Sequence, residues 1–585
     1  MREPDIWPKL SAMLGTNIKC VIWSLALGLA ASALTAFAEF VYGLRTFFSQ
    51  GIWLRNLGLP VEWVGILRSS DATSFLDLHF LFYSRGFLQN LLFWAAISFS
   101  VIYIWKVLRD EPALSLVPLY VLGLASARIQ LELQMAIAAM GGFFSFAQID
   151  PFSFAQISAY FAMALLLFPT IITLVSKLPF LRFFKLSSLG LPIILMPPIV
   201  DYYILGHPVI YNFFTSEYYR QARGSLEYLS SLSPGIKLEI VLIATLTFAY
   251  LAYRTRSVLR SAVAIIVVIL AFSLVSTPVL TSRLNLGLQQ PQLFAGYILI
   301  TYVLTIIDFG LAKPGMGSTI LSRIRLRGIH FPGMTLFGAF LVHPTILVAG
   351  IPEDFGLIIA AVFIVFLVWQ TATIFDDIYD PKERVVPSGY WAYGVLTGLM
   401  ALLAAIPFGL PPLILTIIAV YLAMDYPRLR RKHYLLSGIT IGLSSSIAFL
   451  FGALAPLTSE PSSQPIALVA AAVFVAFSGG SLLKDIVKVE EDRRLGIPTI
   501  FTRFEKNRAL PIVAAFVALG CAMPSIFFRS LVDLVLFLGA GIGAWLLIVA
   551  LKDRCYKPIL ILYFLEGIWV FFRLFLDTTG SLRWL

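Results

Sequence analysis

Long apolar runs alternate with short polar segments along almost the whole chain. An apolar run of about 17–25 residues can cross a bilayer as one helix. Roughly seventeen such runs can be placed. The segment Lys313-Pro314-Gly315-Met316-Gly317 interrupts the helical pattern, and a basic stretch through Arg327 follows it. The pattern therefore predicts a membrane domain over residues 1–315 with about eight helices, beginning at Ile18–Phe40. It predicts a second over residues 320–585 with nine, among them Pro332–Gly350 and Pro411–Met424. Long outer loops are expected at Val41–Gly86 and Gly206–Lys237.

Composition agrees with this reading. The chain is 59% hydrophobic and 13% charged, with mean hydropathy +0.88. Soluble domains carry far less apolar residue. The expected fold class is an all-α polytopic membrane protein embedded in lipid. The first run is long enough to span and stay, so it does not read as a cleaved leader. Cys20, Cys521 and Cys555 show neither metal-site spacing nor an evident pairing.

Net charge is +11, and its placement says more than its size. Basic clusters such as Arg254–Arg260, Arg323–Arg327, Arg428–Lys432 and Lys484–Arg508 fall on one side of the expected topology, which puts that side in the cytoplasm. Basic residues that flank lipid in this way give no reason to expect a nucleic-acid partner.

Two acidic stretches lie on that same side, each after a long apolar run. The first contains Asp376, Asp377 and Asp380, followed by Lys382, Arg384 and Pro387-Ser388-Gly389. The second contains Asp485, Lys488, Asp492 and Arg493. Carboxylates at the end of a membrane helix are costly and point to function. On a helix Asp376, Asp377 and Asp380 would share a face, as would Asp485, Lys488 and Asp492. Close carboxylates repel unless a cation lies among them. Mg²⁺ suits one or two carboxylates plus phosphate oxygens, which makes all five aspartates candidate metal ligands. Lys382, Arg384, Lys488 and Arg493 are candidate donors to phosphate oxygens. The bland alternative is that these charges only mark the membrane interface.

At these motifs the second half resembles the UbiA-type intramembrane prenyltransferases. That family carries two Asp-rich motifs, Asn-Asp-x-x-Asp-x-x-x-Asp and Lys-Asp-x-x-Asp-x-x-Gly-Asp-x-x-x-Gly, after the second and sixth of nine helices. Here Asp376-Asp377-x-x-Asp380 stands for the first and Arg384-x-x-Pro387-Ser388-Gly389 for its tail. Lys484-Asp485-x-x-Lys488-x-x-Glu491-Asp492-x-x-x-Gly496 follows the second. Tyr426 and Arg430-Arg431 resemble a family Tyr and basic pair after the fourth helix.

Three features depart from the family. The first motif is shortened, Lys488 replaces an Asp, and Glu491 replaces a Gly. An alternative register makes Asp376 and Asp380 the central and last acids and leaves Thr373 in the second place.

The resemblance implies an enzyme. It would transfer a prenyl group, with Mg²⁺, from a prenyl diphosphate to a lipophilic membrane-associated acceptor. Asp377, Asp380, Asp485 and Asp492 would be the catalytic acids, with Tyr426, Arg430 and Arg431 on the diphosphate. Aromatic faces can stabilise an allylic cation. Tyr379, Tyr390, Trp391 and Tyr426 are candidates, although an interfacial belt explains them equally well. The rival reading is a transporter or lipid-binding membrane protein on a degenerate prenyltransferase fold. Polar Arg128 and Glu132, four residues apart in an apolar run, are the feature of the first half that bears on it; Asp201 marks an outer helix end.

Overall fold

In the computed structural model, residues 64–68, 78–82, 84–109, 114–140, 151–206, 232–275, 290–324, 328–346, 352–379, 389–457, 466–526, 528 and 530–578 are described. The expected first span, Ile18–Phe40, lies outside them. Apart from one antiparallel pair, β1 (Val64–Arg68) with β2 (Leu78–Phe82), the described elements are helical. That pair falls in the first expected outer loop. Among the described residues eleven segments are long and apolar enough to cross a membrane. The protein is an all-α, multi-pass integral membrane protein.

The chain divides into two compact units, residues 1–290 with 300–317, and residues 291–299 with 318–585. The first carries α1 (Ser84–Arg109), α2 (Val117–Met140), α3 (Pro151–Ser176), α4 (Phe180–Gly190), α5 (Met196–Leu205), α6 (Pro234–Thr255), α7 (Val258–Val275), most of α8 (Gln290–Ala312) and the start of α9 (Met316–Ser322). Several polar side chains are buried in it, and each bonds across elements. Arg128 of α2 pairs with Glu132 at 2.6 Å and donates to the Ile194 carbonyl. Asp201 of α5 accepts from the Gly235 amide of α6 at 2.6 Å. Thr170 of α3 donates to Asp308 of α8.

The second unit contains α10 (His330–Val342), α11 (Pro352–Tyr379), α12 (Tyr390–Ala405), α13 (Leu410–Lys432), α14 (Leu436–Ala453), α15 (Ile466–Lys484), the short α16 (Val489–Arg494) and α17 (Ile500–Arg503), α18 (Lys506–Ala522), α19 (Leu531–Leu551) and α20 (Tyr556–Thr578). Small residues let these helices approach one another, which is the main packing device where lipid removes the hydrophobic drive. A Cβ at Gly338 of α10 would collide with the Phe449 carbonyl of α14, and one at Gly452 with that of Thr335. Buried Asp533 ties the two last helices together: Trp569 Nε1 and Arg573 Nε of α20 reach it at 2.8 and 2.7 Å.

Two local expectations need correction. Helix α13 runs on to Lys432, so Tyr426–Lys432 is not a loop but the last two turns of a helix, with Pro427 accommodated inside it. The second acidic stretch is not one continuous helix. A 3-10 turn, Asp485–Lys488, follows α15, and α16 starts after a break at Lys488 (φ −117°, ψ 12°). Such tightened turns are common at helix ends. The stretch then closes through the Ile497 amide on the Asp492 carbonyl and through Gly496 at φ 66°, a backbone setting that favours glycine.

Candidate active site

A cavity of about 290 Å³ lies in the second unit, walled by α10, α11, α13, α14 and α15. That is at the lower edge of ordinary ligand pockets. Its walls run from Tyr379 down to Ile364 on α11 and from Ser437 to Phe451 on α14. At 1.5 Å per residue, each wall is about 21–22 Å long. Val365, Val368, Ile447, Ala448 and Phe451 make the deep part apolar.

The other end is charged. The carboxylates of Asp376 and Asp485 and the cations of Arg430, Arg431, Lys484 and Lys488 line it, with Tyr379 and Tyr426 beside them. Four cations against two carboxylates favour an anion. The grouping arises because the ends of α11, α13 and α15 meet at the start of α14. Tyr426 and Arg430 are one turn apart on α13 and so face the same way. Arg430 lies within electrostatic reach of Asp376, Asp485 and Asp492. Its Nη2 is 3.4 Å from Asp492 Oδ1.

Neighbouring side chains hold this end in place. Arg428 Nη2 donates to the Tyr379 hydroxyl at 2.9 Å, and Arg431 Nη2 donates to the Tyr379 carbonyl. Together they fasten α13 to the end of α11. Ser437 Oγ donates to Asp485 Oδ2 at 3.5 Å.

The sequence candidates thus separate. Asp376, Asp485, Tyr426, Arg430, Arg431 and Lys488 share the cavity. Asp492 is buried behind it, reached through Arg430. Asp380, Lys382 and Arg384 lie outside the described residues. Asp377 and Arg493 do not line the cavity. Arg493 is exposed and pairs at 3.3 Å with Glu490, on the face of α16 away from buried Asp492. Asp377 is fully buried with its Oδ2 3.3 Å from Arg323 Nη1 and 3.5 Å from the Tyr390 hydroxyl. The expected shared face of Asp376 and Asp377 is therefore absent, since adjacent helical residues point about 100° apart. Among the described residues no three His, Cys, Asp or Glu side chains are placed to hold a metal ion together.

Arg323, Arg428 and Ser437 were not singled out by the sequence as site residues. Arg323 and Arg428 read as topology charges, and Ser437 falls inside an apolar run. Lys484 was visible as the first residue of the second motif.

Residues 380–557 match the UbiA prenyltransferase family. The UbiA match begins just after Tyr379 and takes in the cavity ends of α13 and α15, including Arg430, Asp485 and Lys488. Similar solved structures include a digeranylgeranylglyceryl phosphate synthase, 17% identical with TM-score 0.36, covering 43% of this chain and 95% of that one. A UbiA homologue from Archaeoglobus fulgidus is 15% identical with TM-score 0.32, covering 44% and 96%. The same homologue bound to GPP and Mg²⁺ gives 13% and 0.31, covering 44% and 96%. No curated protein matches the chain.

Proposed function

We propose that residues 320–585 form a Mg²⁺-dependent prenyltransferase, which moves a prenyl group from its diphosphate to a lipophilic acceptor. Residues 1–315 would be a separate membrane domain. One observation carries the reading: two carboxylates and four cations converge at one end of a cavity that is otherwise apolar, and all of them but Asp376 lie in the segment that matches a prenyltransferase family.

The donor set fits the ion. Asp376 and Asp485 come from different helices, and Mg²⁺ prefers one or two carboxylates completed by phosphate oxygens and water. When bound, Mg²⁺ neutralises charge on the departing diphosphate. Arg430 and Arg431 offer guanidinium donors to its oxygens, and Lys484 and Lys488 add point charges. These donors are already in place before the bond breaks, which is where preorganised charge is most effective. Val365, Val368 and Phe451 shelter the prenyl chain and keep water from the allylic cation. Tyr379 and Tyr426 flank the charged end, where their ring faces can meet that cation. The charged end faces the cytoplasm by the distribution of basic residues.

The test supplies membranes containing the protein with labelled prenyl diphosphates and candidate acceptors. Asp376→Ala and Asp485→Ala should each lower product by about 100-fold or more while insertion is retained. EDTA should do the same to the wild type. Full activity in either variant, or in EDTA, refutes the assignment.

A further inference from the structure

The first acidic motif presents two adjacent carboxylates, and only one of them reaches the cavity. The cavity face of α11 runs through Val365, Val368, Ala372, Asp376 and Tyr379, at spacings of three and four. This is one stripe of a helix. Asp377 falls off it. Its carboxylate is instead enclosed where three pieces of chain meet: the end of α11, the first residue of α12, and the residue after α9. Arg323 supplies the cation at 3.3 Å and Tyr390 a long hydrogen bond of 3.5 Å. The Arg323 guanidinium also sits over the Tyr390 ring, 5.4 Å from its centroid. Gly389, at φ 100°, makes the turn that brings Tyr390 into position.

A fully buried carboxylate needs a partner of opposite charge. Without Arg323, Asp377 would lose a counter-charge, and the cations at the cavity mouth are candidate replacements. Reaching them would require the end of α11 to rotate, which would carry Asp376 and Tyr379 off the cavity.

We propose that Arg323 is a positioning residue: it holds Asp377 outward against Tyr390, and so selects Asp376 as the carboxylate that faces the diphosphate. This rests on the prenyltransferase reading above. It gives Asp376 the cavity-facing place in the motif, with Asp377 as a latch and not a metal ligand.

The test measures Mg²⁺-dependent binding of geranyl diphosphate to the purified full chain in nanodiscs, with thermal melting as the check on folding. Asp376→Asn should abolish metal-dependent binding. Arg323→Gln and Asp377→Asn should each weaken it by on the order of 10-fold, the size of effect typical of groups that orient a metal ligand. The Mg²⁺ dependence should persist in both, and Arg323→Lys should stay close to wild type. The charge exchange, Arg323→Asp with Asp377→Arg, should regain most of the affinity lost in Arg323→Asp alone. A metal ligand replaced by arginine would not be rescued in this way.

The proposal is overturned if Arg323→Gln binds like the wild type, or if Asp377→Asn loses metal-dependent binding as completely as Asp376→Asn. Those two variants decide the matter even where the charge exchange does not fold. If Asp376→Asn itself keeps full Mg²⁺-dependent binding, the prenyltransferase site fails, whatever Arg323 does.

Discussion

Both units bury charge inside apolar helices, but they dispose of it differently. In the first, Arg128, Asp201 and Asp308 each bond to a side chain or backbone group of another element, and the bonds join one element to the next. In the second, Asp376, Asp485, Arg430, Arg431, Lys484 and Lys488 point into one shared cavity. A buried charge is therefore a weak sign of function by itself. Charges of both signs that converge on one space are a stronger one. The Asp533 network shows the contrast within the second unit, because there the charge is consumed in joining α19 to α20.

Substitutions can break this comparison. The largest effect is expected where a cavity cation also covers a buried acid. Arg430→Ala removes a donor and leaves Asp492, which is 1% exposed, without its guanidinium. A hydrogen bond to a charged group contributes about 1.5–3 kcal/mol, so losing the Arg430 donor should raise the dissociation constant for a prenyl diphosphate by about tenfold or more. Titration of geranyl diphosphate with Mg²⁺ present measures it.

In the first unit the same kind of substitution should be felt differently. Arg128→Ala leaves Glu132 facing an apolar interior and should destabilise its unit by about 3 kcal/mol. The expected outcome is a lower melting temperature with geranyl diphosphate affinity unchanged. A melting curve and a binding curve on the same preparation check it; a large loss of affinity at unchanged stability would erase the distinction drawn between the units.

The smallest effect belongs to Arg493. Its pair with Glu490 is exposed, 60% and 77%, and such pairs contribute about 0–1 kcal/mol. Arg493→Ala should change neither stability nor affinity beyond about twofold. A loss approaching that of Arg430→Ala would place this residue back at the diphosphate.

Where sequence reading went astray, the reason is specific. Asp376 and Asp377 are chemically identical neighbours, and no pattern of residue types says which one faces inward. Asp377 meets Arg323, more than fifty positions earlier, which read as one more topology charge. Likewise Asp485, Lys488 and Asp492 have helical spacing, but a 3-10 turn and a break interrupt it. Spacing rules hold only while the helix continues.

The sequence by itself determined that this is a helical membrane protein, because twenty apolar residues in a row leave the backbone no other way to satisfy its hydrogen bonds in lipid. It also marked the helix ends where charge gathers, because carboxylates and cations there are too costly to be frequent. Only the tertiary structure decided which of those charges meet. Convergence depends on the rotation of each helix about its axis and on partners distant in sequence, such as Arg323 for Asp377 and Ser437 for Asp485. Neither is encoded in local spacing.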